Sequence, residues 1–237
     1  MNAAARLAGV STYDNAPRIA ALPRVGDYEN VDWERITTLA PQGMVMQMSP
    51  DRVPAGLRER ATKLGIQLHL SHIDRLDDIL RETSELGAFI DRKAEGETLR
   101  RSIERRIDAV KERTAGRPRV RTLIVVSGDG LGVAGRNTYL DDLLTAAGGE
   151  NALDASRGTY VQLDREAILA LSPDAIIHLV PSPTATERES MKAAFARLKD
   201  MPAVKRGRVL LVHDQWALMP GAHVGELVER MANFLHP

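Results

Sequence analysis

Cysteine is absent from the 237-residue chain, which excludes disulfide bonds, thiolate-ligated zinc and catalysis by a thiol. Aromatic side chains make up only 4% of the sequence, so those that fall in loops stand out as candidate ligand contacts. Basic and acidic residues number 32 each. Because the net charge is zero, no bulk electrostatic attraction to nucleic acid or to an anionic membrane is expected.

Long apolar runs are also missing, and none approaches the ~20 residues that a transmembrane helix needs. The first ten residues, MNAAARLAGV, lack the apolar core that follows the basic segment of a secretory signal. We therefore expect no complete signal peptide in this chain.

The longest helical pattern runs from Leu86 to Arg113. Leu99, Ile103 and Ile107 recur at helical spacing and form one apolar stripe. A helix of this length, at ~1.5 Å per residue, would span about 40 Å. The pattern predicts a strut that joins two α/β lobes, with a single long surface helix in one domain as the alternative.

Alternating strand and helix patterns lie on both sides of this helix, which favours parallel sheets. We expect an N-terminal α/β lobe at 1–87, an interlobe helix at 88–116 and a C-terminal α/β lobe at 117–237. The expected strands are 43–48, 66–70, 120–126, 175–180 and 208–212, and the expected helices are 33–39, 57–64, 76–86, 138–147, 165–171, 186–198 and 225–235.

Glycines at 130, 132 and 135 match the G-x-G-x-x-G pattern of a dinucleotide site, after a predicted strand. However, Asn137-Thr138 resembles the true helix cap and lies several residues later than that motif requires. A nucleotide-binding α/β enzyme that uses the loop from Gly130 to Gly135 stays open as an alternative. So does a flexible ligand-contacting loop at the carboxyl end of a strand.

Histidines at strand ends raise a second alternative, a receptor that binds Zn²⁺ or Mn²⁺ directly through His69, His213 and a carboxylate. No H-E-x-x-H spacing supports it, and such histidines are commonly hydrogen-bonded structural groups. The sequence also lacks a G-x-S-x-G elbow and a Walker loop. We therefore predict no enzyme activity, no catalytic residue, no resident cofactor and no bound metal.

Five segments, in this order, resemble the substrate-binding proteins of ABC importers for cobalamin, haem and ferric siderophores, in which a helix forms the backbone between lobes. They cover nearly the whole chain: RLAGVSTYDNAP (6–17), LPRVGDYENVDWERITTLAP (22–41), the long helix, YLDDLLTAAGGENAL (139–153) with YVQLDREAILALSPDAII (160–177), and HDQWALMPGAHVGELVERMANFLHP (213–237).

This resemblance implies two Rossmann-like α/β lobes with parallel sheets, joined by one long backbone helix. It implies a binding protein that captures an iron–siderophore, haem or cobalamin-type chelate between its lobes, with little hinge bending, and delivers it to an ABC permease. We expect a monomer that is periplasmic or surface-anchored in its full-length form. Corrin, porphyrin and siderophore all stay open as ligands.

The resemblance also maps functional residues onto this chain. Glu34 and Glu150 occupy the positions of glutamates that dock onto permease arginines. Arg136 would bind a ligand anion, and Trp216 and Tyr28 would stack on the apolar face of the ligand. The full set of implied ligand-binding residues is Tyr13, Asp14, Tyr28, Gln47, Ser127, Gly128, Asp129, Arg136, Asp214 and Trp216.

Two departures from the family pattern stand out. The family begins with a further strand, loop and helix before the RLAGV segment, so we expect the N-terminal strand to be missing here and one sheet edge to be exposed. In addition, His223 stands where many members carry arginine. An anionic ligand group would then be held differently.

Overall fold

The computed structural model describes residues 3–14 and 16–237. The chain divides into two compact units, the first made of 1–73 with 82–98 and the second of 74–81 with 99–237. The units meet at three boundaries along the chain, and two of them, 81/82 and 98/99, fall inside helices. The expected lobe limits at 87 and 117 stay a prediction.

A two-stranded parallel sheet and two short helices build the first unit. Strand β1 pairs with β2 over their full lengths, from Gly43 opposite Gln67 to Gln47 opposite Ser71. The buried core residue Ile36 lies on α1, which begins as predicted because the Asp32 carboxylate accepts a hydrogen bond from the Arg35 backbone amide at 3.0 Å. These elements are α1 (Trp33–Leu39), β1 (Gly43–Gln47), α2 (Leu57–Lys63) and β2 (Gln67–Ser71).

The predicted long helix is present but begins later than expected. Helix α3 (Leu76–Phe89) ends and the long helix α4 (Lys93–Thr114) begins within the stretch expected to be continuous, so the predicted start at Leu86 was wrong. Asp91 has a φ of 54°, a left-handed conformation that a helix interior does not contain. The chain turns there, and the turn brings the end of α3 against the start of α4.

Two glycines allow this close approach. A Cβ atom built on Gly87 would lie 2.8 Å from the Gly96 Cα atom and 3.1 Å from the Arg92 carbonyl oxygen. No side chain fits at such distances without displacing backbone. The contact between the glycines therefore fixes how the two helices meet in the first unit.

The second unit contains a mixed sheet in the order β6-β4-β3-β7-β8, with β5 also paired to β3. Strands β3, β7 and β8 are parallel as expected, and β5, which the sequence did not predict, is parallel to β3. Strands β4 and β6 run antiparallel, and β4 lies in the stretch that was predicted to be a glycine-rich loop. The strands are β3 (Val120–Val125), β4 (Gly132–Ala134), β5 (Gly149–Asn151), β6 (Tyr160–Gln162), β7 (Ala175–Leu179) and β8 (Val209–Val212).

Helices cover this sheet, and side chains cap the starts of three of them. Thr138 caps α5, Asp164 caps α6, and Thr184 forms a reciprocal capping box with Glu187 at the start of α7. The helices are α5 (Tyr139–Ala146), α6 (Arg165–Leu171), α7 (Ala185–Arg197), the short α8 (Pro202–Lys205), which the sequence did not predict, and α9 (Val224–Leu235).

The second half of α4 packs within the second unit. Ile103, Ile107 and Val110 are buried, as the apolar stripe predicted. The Arg106 guanidinium donates two hydrogen bonds to the Glu229 carboxylate of α9, at 2.8 and 2.7 Å, which adds directional specificity to the apolar contact. Within residues 3–14 and 16–237, no helix is both long and apolar enough to span a bilayer.

The glycine contact between α3 and α4 generates a test. Replacing glycine by alanine inside a helix ordinarily stabilises a protein by about 1 kcal/mol. We expect Gly87→Ala to lower the free energy of unfolding by about 1–3 kcal/mol instead, because the added methyl group overpacks the contact. Urea denaturation measures the change.

Gly221→Ala is the control, since a Cβ atom there meets no atom within 4 Å. Its free energy of unfolding should stay within about 0.5 kcal/mol of the parent value. Stabilisation of the Gly87→Ala variant would contradict the proposed role of the contact.

Candidate ligand-binding site

Two exposed tyrosines form the most conspicuous surface feature of the first unit. The rings of Tyr13 and Tyr28 stack with centroids 6.1 Å apart and planes 24° apart, and the residues are 66% and 47% exposed. The structure thus brings together two residues that the resemblance assigned to the ligand. An exposed stacked pair presents flat apolar area together with two hydroxyl groups.

Backbone bonds between two extended segments position this pair. Val10 and Arg24 form a parallel bridge. The Arg24 guanidinium donates to the Ser11 carbonyl at 3.0 Å and to the Asp14 carbonyl at 2.5 Å, which ties down the loop that carries Tyr13. Asp14 in turn accepts a hydrogen bond from the Ser11 amide, so its carboxylate shapes the loop.

The electrostatics of the pair keep one phenol protonated. The Asp27 carboxylate, and to a lesser degree Tyr28, raise the pKa of Tyr13 above its ordinary value. Tyr13 therefore carries its proton at neutral pH and can donate a hydrogen bond to a ligand. The same Asp27 holds the turn around Tyr28, because its carboxylate accepts from the Glu29 and Asn30 amides.

The other candidates of the first unit are exposed. Gln47 is the last residue of β1, and its side chain makes no hydrogen bond within the described part of the chain. Glu34 lies in the first turn of α1, where the helix dipole favours a carboxylate. Both side chains are accessible to a partner or ligand, and their assigned roles stay predictions.

In the second unit, Ser127 and Asp129 hold their own loop together. The Ser127 hydroxyl donates to the Asp129 carboxylate and accepts from the Gly132 amide at 2.7 Å. Asp129 also accepts from the Leu131 amide and from the Gln162 side chain, both at 3.0 Å. The Ser127 hydroxyl, helped by the Leu131 amide, lowers the pKa of Asp129, so the carboxylate is charged at neutral pH. Both side chains therefore shape the loop.

A buried histidine is hydrogen-bonded to the backbone of this loop. His178 is 0% exposed, and its Nε2 atom lies 2.8 Å from the Ser127 carbonyl oxygen. Because a carbonyl oxygen only accepts, Nε2 carries the proton in this contact. Burial lowers the pKa of His178, and His213 nearby lowers it further, so the ring is neutral. Sequence reasoning named His178 but gave it no role.

Trp216 already has two partners. Its ring is stacked on His223, with centroids 4.8 Å apart and planes 9° apart, and the Arg230 guanidinium lies 5.0 Å from the ring centroid. Arg230 also pairs with Asp214 at 2.5 Å and with Glu226 at 2.5 Å. The structure therefore brings Asp214 and Trp216 together through Arg230, a residue that sequence reasoning missed. His223, at the position where many family members carry arginine, completes the cluster.

Arg136 lies elsewhere in the second unit. Its guanidinium is 3.3 Å from the Glu150 carboxylate, and both side chains line a pocket of about 200 Å³. Glu150 is paired with Arg121 at the start of β3, whereas Ser127 lies after the end of that strand. The structure therefore joins Arg136 to the predicted docking residue Glu150 and does not join it to the loop at Ser127.

Neither alternative reading of the sequence gains support from this geometry. Part of the G-x-G-x-x-G stretch, Gly132–Ala134, is a strand, so the motif does not open a helix as a dinucleotide fingerprint does. For the direct metal receptor, His69 belongs to the first unit and His213 to the second. His213 has a buried Nε2 atom without a hydrogen-bond partner among the described residues.

The neutral state of His178 predicts a pH dependence of stability. An unfolded histidine has a pKa of about 6.5, and the folded value is lower. Below about pH 6.5 the unfolded chain therefore binds more protons, and stability falls as the pH falls. We expect the melting temperature to drop between pH 7.5 and 5.5, and to drop less in His178→Gln.

His223→Gln is the matched control, because the His223 side chain is 51% exposed. Thermal unfolding of the three proteins at several pH values measures the effect. The same pH-dependent loss in His178→Gln as in the parent chain would show that His178 is not its source.

Comparison with known proteins identifies the family. The model of the periplasmic binding protein family matches residues 2–216. The vitamin B12-binding protein of Vibrio vulnificus (strain YJ016) is 24% identical over 217 residues, which are 91% of this chain and 77% of that protein. The high-affinity heme uptake system protein IsdE of Staphylococcus aureus (strain MRSA252) is 24% identical over 206 residues, 84% of this chain and 69% of that protein.

Solved structures give the same fold. The periplasmic vitamin B12-binding protein BtuF of Vibrio cholerae superposes with a TM-score of 0.76 at 22% identity, over 97% of this chain and 88% of that one. A periplasmic heme-binding protein from Pseudomonas aeruginosa superposes with a TM-score of 0.77 at 21% identity, over 98% of this chain and 85% of that one. These findings confirm the expected α/β fold and the expectation of a binding protein rather than an enzyme. The chain belongs to the periplasmic binding protein family.

Proposed function

We propose that this chain is the substrate-binding component of an ABC importer and that it captures a large, flat metal chelate of the haem or cobalamin type for delivery to a permease. Relatives named as vitamin B12-binding and heme uptake proteins support this ligand class. We further propose that it acts as a monomer in the periplasm or at the cell surface, with 1–87 and 117–237 as its lobes and 88–116 between them.

The Tyr13–Tyr28 stack is the observation that carries the ligand class. Exposed aromatic rings lose apolar hydration when a flat ligand covers them, and aromatic contacts contribute about 1 kcal/mol beyond their buried area. The Arg24 guanidinium ties down the loop that carries Tyr13, and the Asp27 carboxylate holds the turn around Tyr28, so little backbone entropy is lost when a ligand binds. A preformed surface of this kind suits a rigid macrocycle.

The second unit would contribute to ligand binding mainly through the backbone at Gly128 and through the Trp216–His223 cluster. Ser127 and Asp129 are engaged within their loop, but a Cβ atom on Gly128 would meet nothing within 4 Å, so a ligand can approach the backbone there. Trp216, stacked on His223, offers a ring edge and an exposed imidazole beside it. A macrocycle carboxylate or amide group finds hydrogen-bond donors in His223 and the loop amides.

Docking to the permease would use Glu34 and Glu150. Glu150 is paired with Arg136 at 3.3 Å on an exposed surface, and such pairs contribute only about 0–1 kcal/mol. Glu150 can therefore exchange Arg136 for an arginine of the permease at little cost. Arg136 then lies beside the docking residue, and its role as a ligand-anion residue stays a prediction.

Ligand binding is tested by a thermal-shift screen of the purified chain. We expect haemin or cyanocobalamin to raise the melting temperature by several degrees, because a ligand that binds only the native state stabilises it. Ferric siderophores, NAD, ATP and metal salts serve as comparators. A shift by a nucleotide and by no chelate would favour the nucleotide-binding alternative and contradict the proposal.

Point variants then locate the surface. Tyr28→Ala, and separately Trp216→Ala, should weaken the affinity for the chelate about tenfold, through lost stacking and apolar area. Leu64→Ala, a change at another exposed apolar residue of the first unit, should leave the affinity unchanged. Equal affinities in all three variants would remove both aromatic residues from the site.

Docking is tested by charge reversal. We expect Glu34→Lys and Glu150→Lys to keep the parent affinity for the chelate and to abolish stimulation of the permease ATPase by the loaded binding protein, because like charges then face the permease arginines. Glu112→Lys, at an exposed position in the last turns of α4, is the control. Full stimulation by both variants would refute the docking assignment.

A further inference from the structure

A histidine and two glutamates, none of them among the residues proposed for the chelate or the permease, converge in the first unit. His69 lies on β2, and Glu82 and Glu85 lie one turn apart on α3, so both carboxylates project from the same side of the helix. One donor atom from each residue falls within a group whose members lie within 4.8 Å of one another. The His69 Nε2 atom and a Glu82 carboxylate oxygen are 2.8 Å apart.

Packing orients two of the three donors in advance. The side chains of His69 and Glu82 are only 15% and 13% exposed. The Phe89 ring lies against the His69 imidazole with centroids 5.1 Å apart, which fixes the ring plane. Phe89 reaches this position because Gly43 has no side chain, and a Cβ atom there would lie 2.7 Å from the Phe89 ring. The imidazole and one carboxylate are thus held before any ion arrives.

The third donor opens the cluster to solvent. Glu85 is exposed, so an ion has an entry path, and water can complete its coordination. Ligands of a tetrahedral Zn²⁺ ion lie about 2.0–2.2 Å from the metal, which puts neighbouring donor atoms a little over 3 Å apart. The 2.8 Å between the His69 and Glu82 donor atoms is a hydrogen-bond distance, so an ion would replace the proton between them and move the two atoms about 0.5 Å farther apart. A rotation of the exposed Glu85 side chain brings in the third oxygen.

We propose that His69, Glu82 and Glu85 form a binding site for a divalent transition-metal ion. One imidazole and two carboxylates, without a thiolate, are a donor set that suits Zn²⁺, Mn²⁺ or Co²⁺ and leaves coordination positions for water. The ion would bridge β2 and α3 and so stabilise the first unit. It is not cargo in this proposal, and the site does not depend on the proposed chelate function.

The competing explanation is a hydrogen bond between His69 and Glu82 that pins the strand to the helix without any ion. That explanation gives Glu85 no part. It also predicts that removal of divalent ions leaves stability unchanged. Glu85 is therefore the residue that separates the two explanations.

The test is a titration of chelator-treated protein with Co²⁺ and with Zn²⁺. We expect one equivalent of Co²⁺ to bind with visible absorption bands of a nitrogen- and oxygen-ligated ion, Zn²⁺ to displace it, and Zn²⁺ to raise the melting temperature by several degrees. Glu85→Gln should weaken binding at least tenfold, although the His69–Glu82 contact remains in that variant. Glu59→Gln, at an exposed position of α2, should bind like the parent chain.

His69→Gln provides the second variant and should abolish the cobalt bands. Parent-like binding in Glu85→Gln and His69→Gln, or binding no tighter than that of other surface carboxylates, would overturn the site. Chelate affinity measured with and without Zn²⁺ separates this result from the importer proposal. It should not change in Glu85→Gln, whichever way the metal titration ends.

Discussion

The parallel register of β3, β7 and β8 is the constraint on which the second unit depends. Ile124 pairs with Ile177, and Ile176 with Val209, so three strands run side by side in the same direction. Leu123, Ile124 and Ile177 are 0% exposed, so these positions form apolar core and cannot contact a ligand. Polar groups collect where the strands end, as in other open parallel sheets.

The segments that follow β3 and β8 carry such polar groups. The loop that begins at Ser127 comes after β3, and the segment from His213 comes after β8. His178 lies near the end of the strand between them and donates to the Ser127 carbonyl. A buried neutral imidazole thus holds the backbone of the loop that we propose for ligand contact, and the imidazole is neutral because it is buried in the core.

Much of the fold could be predicted because its signals are local. Asp32, Thr138 and Asp164 each accept a backbone hydrogen bond at the helix start where their sequence position indicated. Strand β4 could not be predicted, since its three residues form a strand only through pairing with β3 and β6. The break at Asp91 likewise depends on a contact between two glycines, which no helical periodicity encodes.

The candidate site likewise contains some residues that the sequence could single out and some contacts that it could not predict. The resemblance singled out Tyr13 and Tyr28, and the structure stacks them. The resemblance could not reveal that Arg136 pairs with Glu150, because that contact is set by the register of β5 against β3. Nor could it show Arg230 beneath Trp216, since the two residues come from a loop and a helix whose packing is tertiary.

The central claim is that the chain binds a flat metal chelate through an exposed aromatic surface. An equilibrium titration with haemin and with cyanocobalamin, monitored by visible absorption and tryptophan fluorescence, tests it most directly. We expect saturable one-to-one binding of one of them, with a shifted absorption band and quenching of the tryptophan fluorescence. Cooperatively folded protein that shows no saturable signal with either chelate would contradict it.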